Sequence, residues 1–183
     1  MKRYTSILGV TLFFINTSVI CNETNRETFV IEPHVELPKE KTKSELGLFL
    51  NDIGHYESSN DYTKVNTLGY LGKYQFGKST LETLGYGELT QEQFINNPSL
   101  QDTIMIENLR YNKRRLKKYY KHYVGKKRWG IEITESGMLA AAHLAGQGNV
   151  KRYLMYGEDP SDEYGTNLSK YLSTFSGYKL NLK

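Results

Sequence analysis

Cysteine is almost absent from this sequence, and its scarcity excludes two kinds of structure. Cys21 is the only one, so no disulfide can form within the chain. A cysteine-based zinc site is excluded too, and the four histidines stand at no metal-ligand spacing: His34, His55, His122 and His143. We therefore expect no metal and no cofactor. The 162 residues after position 21 (183 minus 21) are enough for one domain with its own apolar core.

Long apolar runs are missing as well. The run 7–15 is too short to span a bilayer. It follows two basic residues and precedes small and polar ones, which predicts a secretory signal peptide over 1–21 and a periplasmic or secreted protein. Cleavage after Cys21 and cleavage after Ser18 both fit. A lipid anchor on Cys21 is the weaker alternative because Ile20 is bulky, and an uncleaved membrane anchor is weaker still.

Neither sign of charge is in large excess. The net charge of +4 falls to +2 without the two basic residues of the signal peptide (22 basic against 20 acidic), which says little about partners. The segment 22–43 is polar and charged and holds two of the four prolines, which favours a linker. A short strand over 29–31 is the alternative. The globular part is then 44–183.

Helical periodicity begins where the linker ends. Thr42 and Glu45 have the spacing of a capping box. Four apolar residues then recur at helical spacing: Leu46, Phe49, Leu50 and Ile53. The stretch after this helix is rich in Gly, Asn, Tyr and Thr and cannot continue it, so we expect an irregular or short β-hairpin segment there.

Three further helices are predicted, which makes the fold class α+β and predominantly α. One starts with Asn97 as cap and Pro98 at its first position, and its buried side is Leu100, Ile104, Leu109 and Leu116. The next is capped by Thr134, ends at Gly146 and is apolar nearly all round, which places it in the middle of the domain. A last helix starts near Thr166 and carries Leu168, Tyr171, Leu172 and Phe175.

Glu57 is the candidate for chemistry because it stands at the end of the first apolar helix. It follows Tyr56 and precedes small polar residues that would leave its oxygens open to a cleft. A carboxylic acid can protonate a poor leaving group at neutral pH only where an apolar setting raises its pKa. An ordinary surface carboxylate at a helix end is the alternative on this observation alone.

Four motifs occur in a fixed order around this glutamate. They are "ES" at Glu57, Gly69-x-x-Gly72-x-x-Gln75, "AHLAGQGNVKRYL" from Ala142, and Tyr171 in "SKYLSTFSGY". Together they resemble the goose-type lysozyme and lytic transglycosylase (SLT-like) family of exported bacterial peptidoglycan-cleaving proteins, within the lysozyme-like superfamily. The resemblance covers roughly 45–178. It implies a lysozyme-like fold whose cleft holds a peptidoglycan strand, with a small irregular or β element after the catalytic helix.

The resemblance also implies roles for individual residues. Glu57 would be the general acid, and Ser58 would orient it. Gln75 matches the family's glutamine, which hydrogen-bonds the N-acetyl region of the sugar. Tyr171 matches the tyrosine that faces the catalytic carboxylate.

The chain departs from the family pattern at three positions. Tyr74 stands where the family has methionine, so it would form a cleft wall at most. His143 and Leu144 replace the tyrosine and asparagine of an AYNAG segment, and Leu144 cannot make the asparagine's hydrogen bond. The resemblance puts His143 among the substrate-binding residues, whereas its place on an apolar helix favours a hydrogen-bonded core histidine over a catalytic one.

A second carboxylate is not evident in the sequence. At the nine-residue offset typical of phage-type lysozymes the chain has Asn66, and Asp61 is the nearest acid after Glu57. A mechanism with one glutamate predicts a lytic transglycosylase that leaves 1,6-anhydroMurNAc ends. A hydrolytic muramidase using Asp61 and a non-catalytic peptidoglycan-binding module are the alternatives.

The stretch 110–128 holds ten Lys or Arg and no acid. Basic residues interleaved with tyrosines are also found in nucleic-acid binders, so an exported basic nucleic-acid binder is a third hypothesis. We expect a solvated helix face that contacts an anionic cell-wall polymer or a membrane surface. The expected partner is a peptidoglycan strand bound by a monomer, without nucleic acid.

Overall fold

The computed structural model describes residues 44–162 and 165–182. The predicted signal peptide, the linker and Thr42 lie outside the described residues. In the two described ranges the chain forms seven helices and two strands: α1 (Glu45–Ser58), α2 (Lys78–Thr83), α3 (Gln91–Ile95), α4 (Pro98–Arg115), α5 (Lys117–Tyr123), β1 (Lys127–Arg128), β2 (Ile131–Glu132), α6 (Glu135–Tyr156) and α7 (Leu168–Thr174). The class is thus predominantly helical, as predicted. The one two-stranded sheet in the described ranges, β1–β2, follows α5 and is not the β element expected after the first helix. None of the described helices is both long and apolar enough to cross a bilayer.

Helix α1 begins with a side-chain cap and ends at the site. The Ser44 hydroxyl accepts a hydrogen bond from the Gly47 amide at 3.1 Å, which satisfies one of the unpaired amides of the first turn. The predicted apolar stripe is confirmed, since Phe49 and Ile53 are fully buried. The helix ends at Ser58, so Glu57 lies in its last turn.

The segment 59–77 is irregular and carries isolated β-bridges, as the sequence predicts. Its backbone is held by Gln101, which is fully buried on α4. The Gln101 side chain accepts from the Lys73 amide at 2.9 Å and donates to the Tyr62 carbonyl at 2.9 Å. Gly72 lies against this amide with a φ of +70°, and a Cβ there would stand 2.1 Å from the Gln101 oxygen. The segment therefore packs directly on α4.

The predicted helix from Asn97 is two helices. Asn97 caps α4 and Pro98 occupies its first turn, as predicted. The backbone leaves helical geometry at Leu116 (φ −97°, ψ 5°), where the side chain is buried. α5 follows at once. The periodicity of the basic stretch does not show this break, because Leu116 remains on the apolar side.

Helix α6 runs through the core. Thr134 caps it as predicted. The prediction that it ends at Gly146 holds only in part, since Gly146 leaves helical geometry (φ 78°, ψ 154°) but the helix resumes and reaches Tyr156. At its start a Cβ on Gly137 would lie 2.3 Å from the Leu172 carbonyl oxygen, so α6 and α7 pack with their backbones in close approach.

Candidate active site

A cavity of about 770 Å³ opens beside Glu57. Its walls come from the end of α1, the segment 59–77, α2, α4, α6, α7 and the loop before α7. They include Tyr56, Glu57, Lys64, Gln75, Asn108, Asn112, His143, Gln147, Asp162 and Tyr171. The volume lies within the range of small-molecule and oligomer sites. Most of the predicted site residues therefore meet in one place.

Glu57 is a buried carboxyl group held by one tyrosine. The Tyr171 hydroxyl donates to Glu57 Oε1 at 2.6 Å. Burial raises the pKa of Glu57 above its ordinary value of 4.5. A protonated His143, the Tyr171 hydrogen bond and Lys64 act in the opposite direction, while the negative charge of Asp162 adds to the rise. The group is therefore suited to keep its proton at a higher pH than a surface glutamate does.

The position of Tyr171 is fixed by an aromatic cluster. Its ring packs edge-on against Tyr56 at 5.2 Å between centroids and against Phe175 at 5.2 Å. Burial of the hydroxyl, then the charge of Glu57, raise the pKa of Tyr171 far above its ordinary value. Tyr171 therefore remains a hydrogen-bond donor to the carboxylate at any physiological pH.

Ser58 does not bind the Glu57 carboxylate directly. Its hydroxyl lies 2.8 Å from the Lys73 carbonyl and accepts from the Asp61 amide at 3.0 Å. On the same face of α1 a Cβ at Gly54 would stand 2.4 Å from the Lys73 side chain. Ser58 thus fixes the end of α1 to the segment 59–77, and any orientation of Glu57 by Ser58 acts through the backbone.

Gln75 borders the cavity in a strained backbone conformation. Its φ is +49°, a region that residues with a side chain rarely adopt. Its side-chain amide donates to the Gly72 carbonyl at 2.8 Å, which holds the side chain over its own turn. Left-handed non-glycine residues cluster at functional sites, where the surroundings over-determine the conformation.

Tyr74 is not a cleft wall, and that prediction was wrong. Its side chain is fully buried, and its hydroxyl donates to Asp102 Oδ1 at 2.7 Å. Lys73 Nζ lies 3.6 Å from the same carboxylate, so the charge of Asp102 is compensated inside the fold. Tyr74 and Gln75 are neighbours whose side chains have different surroundings, and only Gln75 borders the cavity.

His143 lies at the cavity, in a chain of hydrogen bonds. Its Nε2 is 2.8 Å from the Tyr74 carbonyl, which can only accept, so Nε2 carries a hydrogen. Its Nδ1 is 3.0 Å from the amide nitrogen of Asn108, whose oxygen accepts from Asn112 at 3.1 Å. His143 thus combines both predicted roles, a hydrogen-bonded histidine that also borders the cavity.

Asp61 is not at the cavity. It is exposed, and its Oδ1 accepts from the Thr63 amide at 2.8 Å and from the Thr63 hydroxyl at 2.7 Å. The Thr63 hydroxyl and amide lower the pKa of Asp61. Asp61 therefore stabilises a turn, and its carboxylate does not border the cavity.

Asp162 is the second carboxylate that the structure brings to Glu57. It borders the cavity, and its Oδ1 accepts from the Thr166 amide at 2.7 Å. Asp159 holds the same loop by accepting from the Ser169 amide at 2.8 Å. The sequence analysis missed Asp162, because no motif contains it and the loop reaches Glu57 only through the packing of α6 and α7.

Gln147 provides a buried acceptor at the cavity, beside the break in α6. Among the described residues its Oε1 is buried and has no hydrogen-bond partner. A buried acceptor without a partner is costly in a folded protein. A bound ligand with a hydroxyl or amide donor would satisfy this oxygen.

The described residues contain no group of three or more His, Cys, Asp or Glu that could hold a metal ion. No protein-family model matches the chain, and neither does any curated protein or solved structure with which it was compared. What the site does must therefore be inferred from its own residues.

Proposed function

We propose that this protein cleaves the glycan strand of peptidoglycan between MurNAc and GlcNAc, with Glu57 as the general acid. The observation that carries the proposal is the Glu57 carboxyl group, buried at a cavity of about 770 Å³ and held by Tyr171. The order of the four sequence motifs supports it, because each of the four contributes a residue to this cavity. A lysozyme-like fold is part of the same proposal.

In this proposal each oxygen of Glu57 has a separate task. Oε1 accepts from Tyr171, so the other oxygen is the one that gives its proton to the glycosidic oxygen as the bond to the anomeric carbon breaks. The N-acetyl group of the muramyl sugar stabilises the resulting cation. Glu57, now charged, removes the proton of the muramyl 6-hydroxyl as that oxygen bonds to the anomeric carbon. The glutamate ends protonated, and no water is consumed.

A lytic transglycosylase is the first candidate because attack within one sugar needs no ordered water. The reacting hydroxyl is tethered to the cation, and such intramolecular reactions gain several kcal/mol in favourable cases. A binding module without turnover is less well supported, since binding alone does not require a buried acid at this position. The partner in either case is a peptidoglycan strand.

A hydrolytic muramidase is the second candidate, and Asp162 is the observation that favours it. Hydrolysis by inversion needs a carboxylate that activates water across from the acid. Asp162 borders the cavity with Glu57, whereas Asp61 does not. The products distinguish the candidates, because hydrolysis leaves reducing ends and transglycosylation leaves anhydro ends.

Glu57→Gln tests the proposal directly. The amide keeps the shape of the side chain but cannot deliver a proton, and general acid catalysis typically contributes about a hundred- to ten-thousand-fold. We expect solubilisation of purified sacculi to fall by at least about a hundredfold, with Glu88→Gln, an exposed glutamate, as the control. A Glu57→Gln protein with a third of wild-type activity would contradict the assignment.

Asp162→Asn tests the choice of product. If the enzyme is a transglycosylase, the variant still yields anhydro ends. If it is a muramidase, wild type yields reducing ends and Asp162→Asn loses them, while Asp61→Asn has no effect on the products.

A further inference from the structure

Nine of the ten cations of the stretch 110–128, all but Arg110, divide into structural and exposed groups. Lys113 is structural, since it pairs with Glu135 at 2.7 Å. Arg128 donates to the Leu154 and Met155 carbonyls at the end of α6. The exposed group, here called the basic surface, consists of Arg114, Arg115, Lys117, Lys118, Lys121, Lys126 and Lys127. None of these seven forms an ion pair with any residue in 44–162 or 165–182.

The tyrosines of α5 pack inward, so their rings are not presented for stacking against nucleic-acid bases. The Tyr120 hydroxyl donates to Glu135 at 2.8 Å. The Tyr119 hydroxyl lies 3.7 Å from the Met155 sulfur, and the Tyr123 ring lies 5.6 Å from the Arg128 guanidinium. Proteins that bind single strands stack bases on exposed aromatic rings. The half-buried tyrosines of α5 are engaged elsewhere, so α5 presents charge without such a platform.

Exposed aromatic side chains stand at the end of this surface instead. The turn between β1 and β2 consists of Trp129 and Gly130, both with positive φ (49° and 83°), which is strained for a residue as large as tryptophan. The Trp129 Nε1 donates to the Tyr153 carbonyl at 2.7 Å. Trp129 is nevertheless 52% exposed, and Tyr156, at the end of α6, is 66% exposed.

We propose that the basic surface, together with Trp129 and Tyr156, binds an anionic lipid bilayer. Tryptophan and tyrosine prefer the headgroup region of membranes, and clustered lysines and arginines are attracted to acidic headgroups. Few acids oppose this arrangement: Glu132 stands opposite Lys127 in the hairpin, and Glu158 is paired with Arg152 at 3.2 Å.

Lipid fits this surface better than a soluble anionic polymer does. A soluble anionic polymer needs only cations to bind it, and lysines and arginines on a helix without exposed aromatic neighbours would bind it equally well. The exposed indole has a separate requirement, because it gains free energy only where it leaves water. The Trp129 turn is held in its strained form by the bond to Tyr153 and by packing on Gly157, so the indole is presented at a fixed position beside Lys126 and Lys127.

The chain carries its own probe for the test, because Trp129 is its only tryptophan. The full chain is titrated with vesicles of phosphatidylcholine alone and with vesicles that also contain phosphatidylglycerol, and tryptophan emission is followed. We expect a blue shift with the anionic vesicles only, which disappears at high salt because exposed charges are screened. The readout concerns Trp129 itself, so binding through another part of the chain gives a blue shift only where it also brings the indole into the headgroup region.

Charge reversal distinguishes binding through the basic surface from a general effect of the protein's net charge. Lys121→Glu should weaken the partitioning onto anionic vesicles by roughly 30-fold, whereas Lys78→Glu, an exposed lysine on α2 with the same change of charge, should not. Equal weakening in both variants, or no blue shift on anionic vesicles, would overturn the proposal. So would binding to a soluble polyanion such as DNA with no binding to vesicles.

Discussion

At the scale of single residues, the protonation of Glu57 connects the proposed catalysis to stability. The folded protein holds this carboxyl group with a raised pKa, mainly because of burial. Between the ordinary pKa of 4.5 and the raised one, the unfolded chain has lost the proton and the folded chain has kept it. The folded state therefore loses stability as pH rises through this window.

The first prediction follows from this loss of stability with rising pH. Glu57→Gln should be more stable than wild type at neutral pH, because the amide avoids placing a charge in the buried site, and the difference should vanish below about pH 4, where the carboxyl group is protonated in both states. Thermal unfolding of both proteins across pH measures it. A difference that stays constant with pH would show that Glu57 is not perturbed.

Tyr171→Phe should change the pH dependence of activity more than its maximum. The hydroxyl stabilises the charged form of Glu57, so its loss raises the pKa of the acid further and moves the alkaline limb of the pH profile upward. We expect a smaller loss of rate than in Glu57→Gln. The measurement is the rate on sacculi across pH, and an unchanged or lowered alkaline limb would contradict the role of the hydrogen bond.

The sequence predicts part of this site, and the missing part has a physical reason. Glu57 and Tyr171 were expected to face each other, and they are 2.6 Å apart. Gln75 and His143 were placed at the substrate, and both border the cavity. Asp162 and Gln147 were not identified, because their positions depend on how the loop before α7 and the break in α6 pack, which no local spacing encodes.

At the scale of elements, the site depends on the close packing of the segment 59–77 against α4. Gly72 needs both a positive φ and space, whereas Gly69 has a positive φ (81°) but no atom within 4 Å of an added Cβ. Comparing Gly69 with Gly72 therefore separates the cost of a positive φ from the cost of steric overlap with Gln101.

Gly72→Ala should destabilise the protein more than Gly69→Ala. Gly69→Ala, the control, should lower the free energy of unfolding by about 1 kcal/mol because of its positive φ alone. Gly72→Ala must also displace the Gln101 amide. The buried polar groups left unpaired should lower the free energy of unfolding by about 1–3 kcal/mol more. Urea unfolding measures both. Equal losses of stability would show that Gln101 adjusts freely and does not fix the segment.

Long elements were predictable from periodicity, and short ones were not. The apolar stripes of α1, α4 and α7 identify them, since each repeats over two turns or more. The β1–β2 hairpin has no Asn-Gly turn, and its strands of two residues are too short to show alternation. It is held against α6 because Arg128 donates to the Leu154 carbonyl and Trp129 to the Tyr153 carbonyl. The Leu154 carbonyl is one of the helix-end groups that have no partner within the helix.

At the scale of the whole molecule, the described residues carry two surfaces with different chemistry. The cavity presents a buried acid, a tyrosine and amides, which suit a neutral sugar with hydroxyl and N-acetyl groups. The basic surface presents lysines and arginines with few acids beside them. The catalytic proposal and the lipid proposal rest on separate residues, so failure of one leaves the other in place.

The mass of the fragments that the protein releases from purified sacculi tests the central claim most directly. We predict that wild type releases muropeptides ending in 1,6-anhydroMurNAc, lighter by one water than hydrolytic products, and that Glu57→Gln releases none above background. Release of the same fragments by Glu57→Gln, or no release by folded wild type, would contradict the claim that this cavity cleaves glycan strands through Glu57.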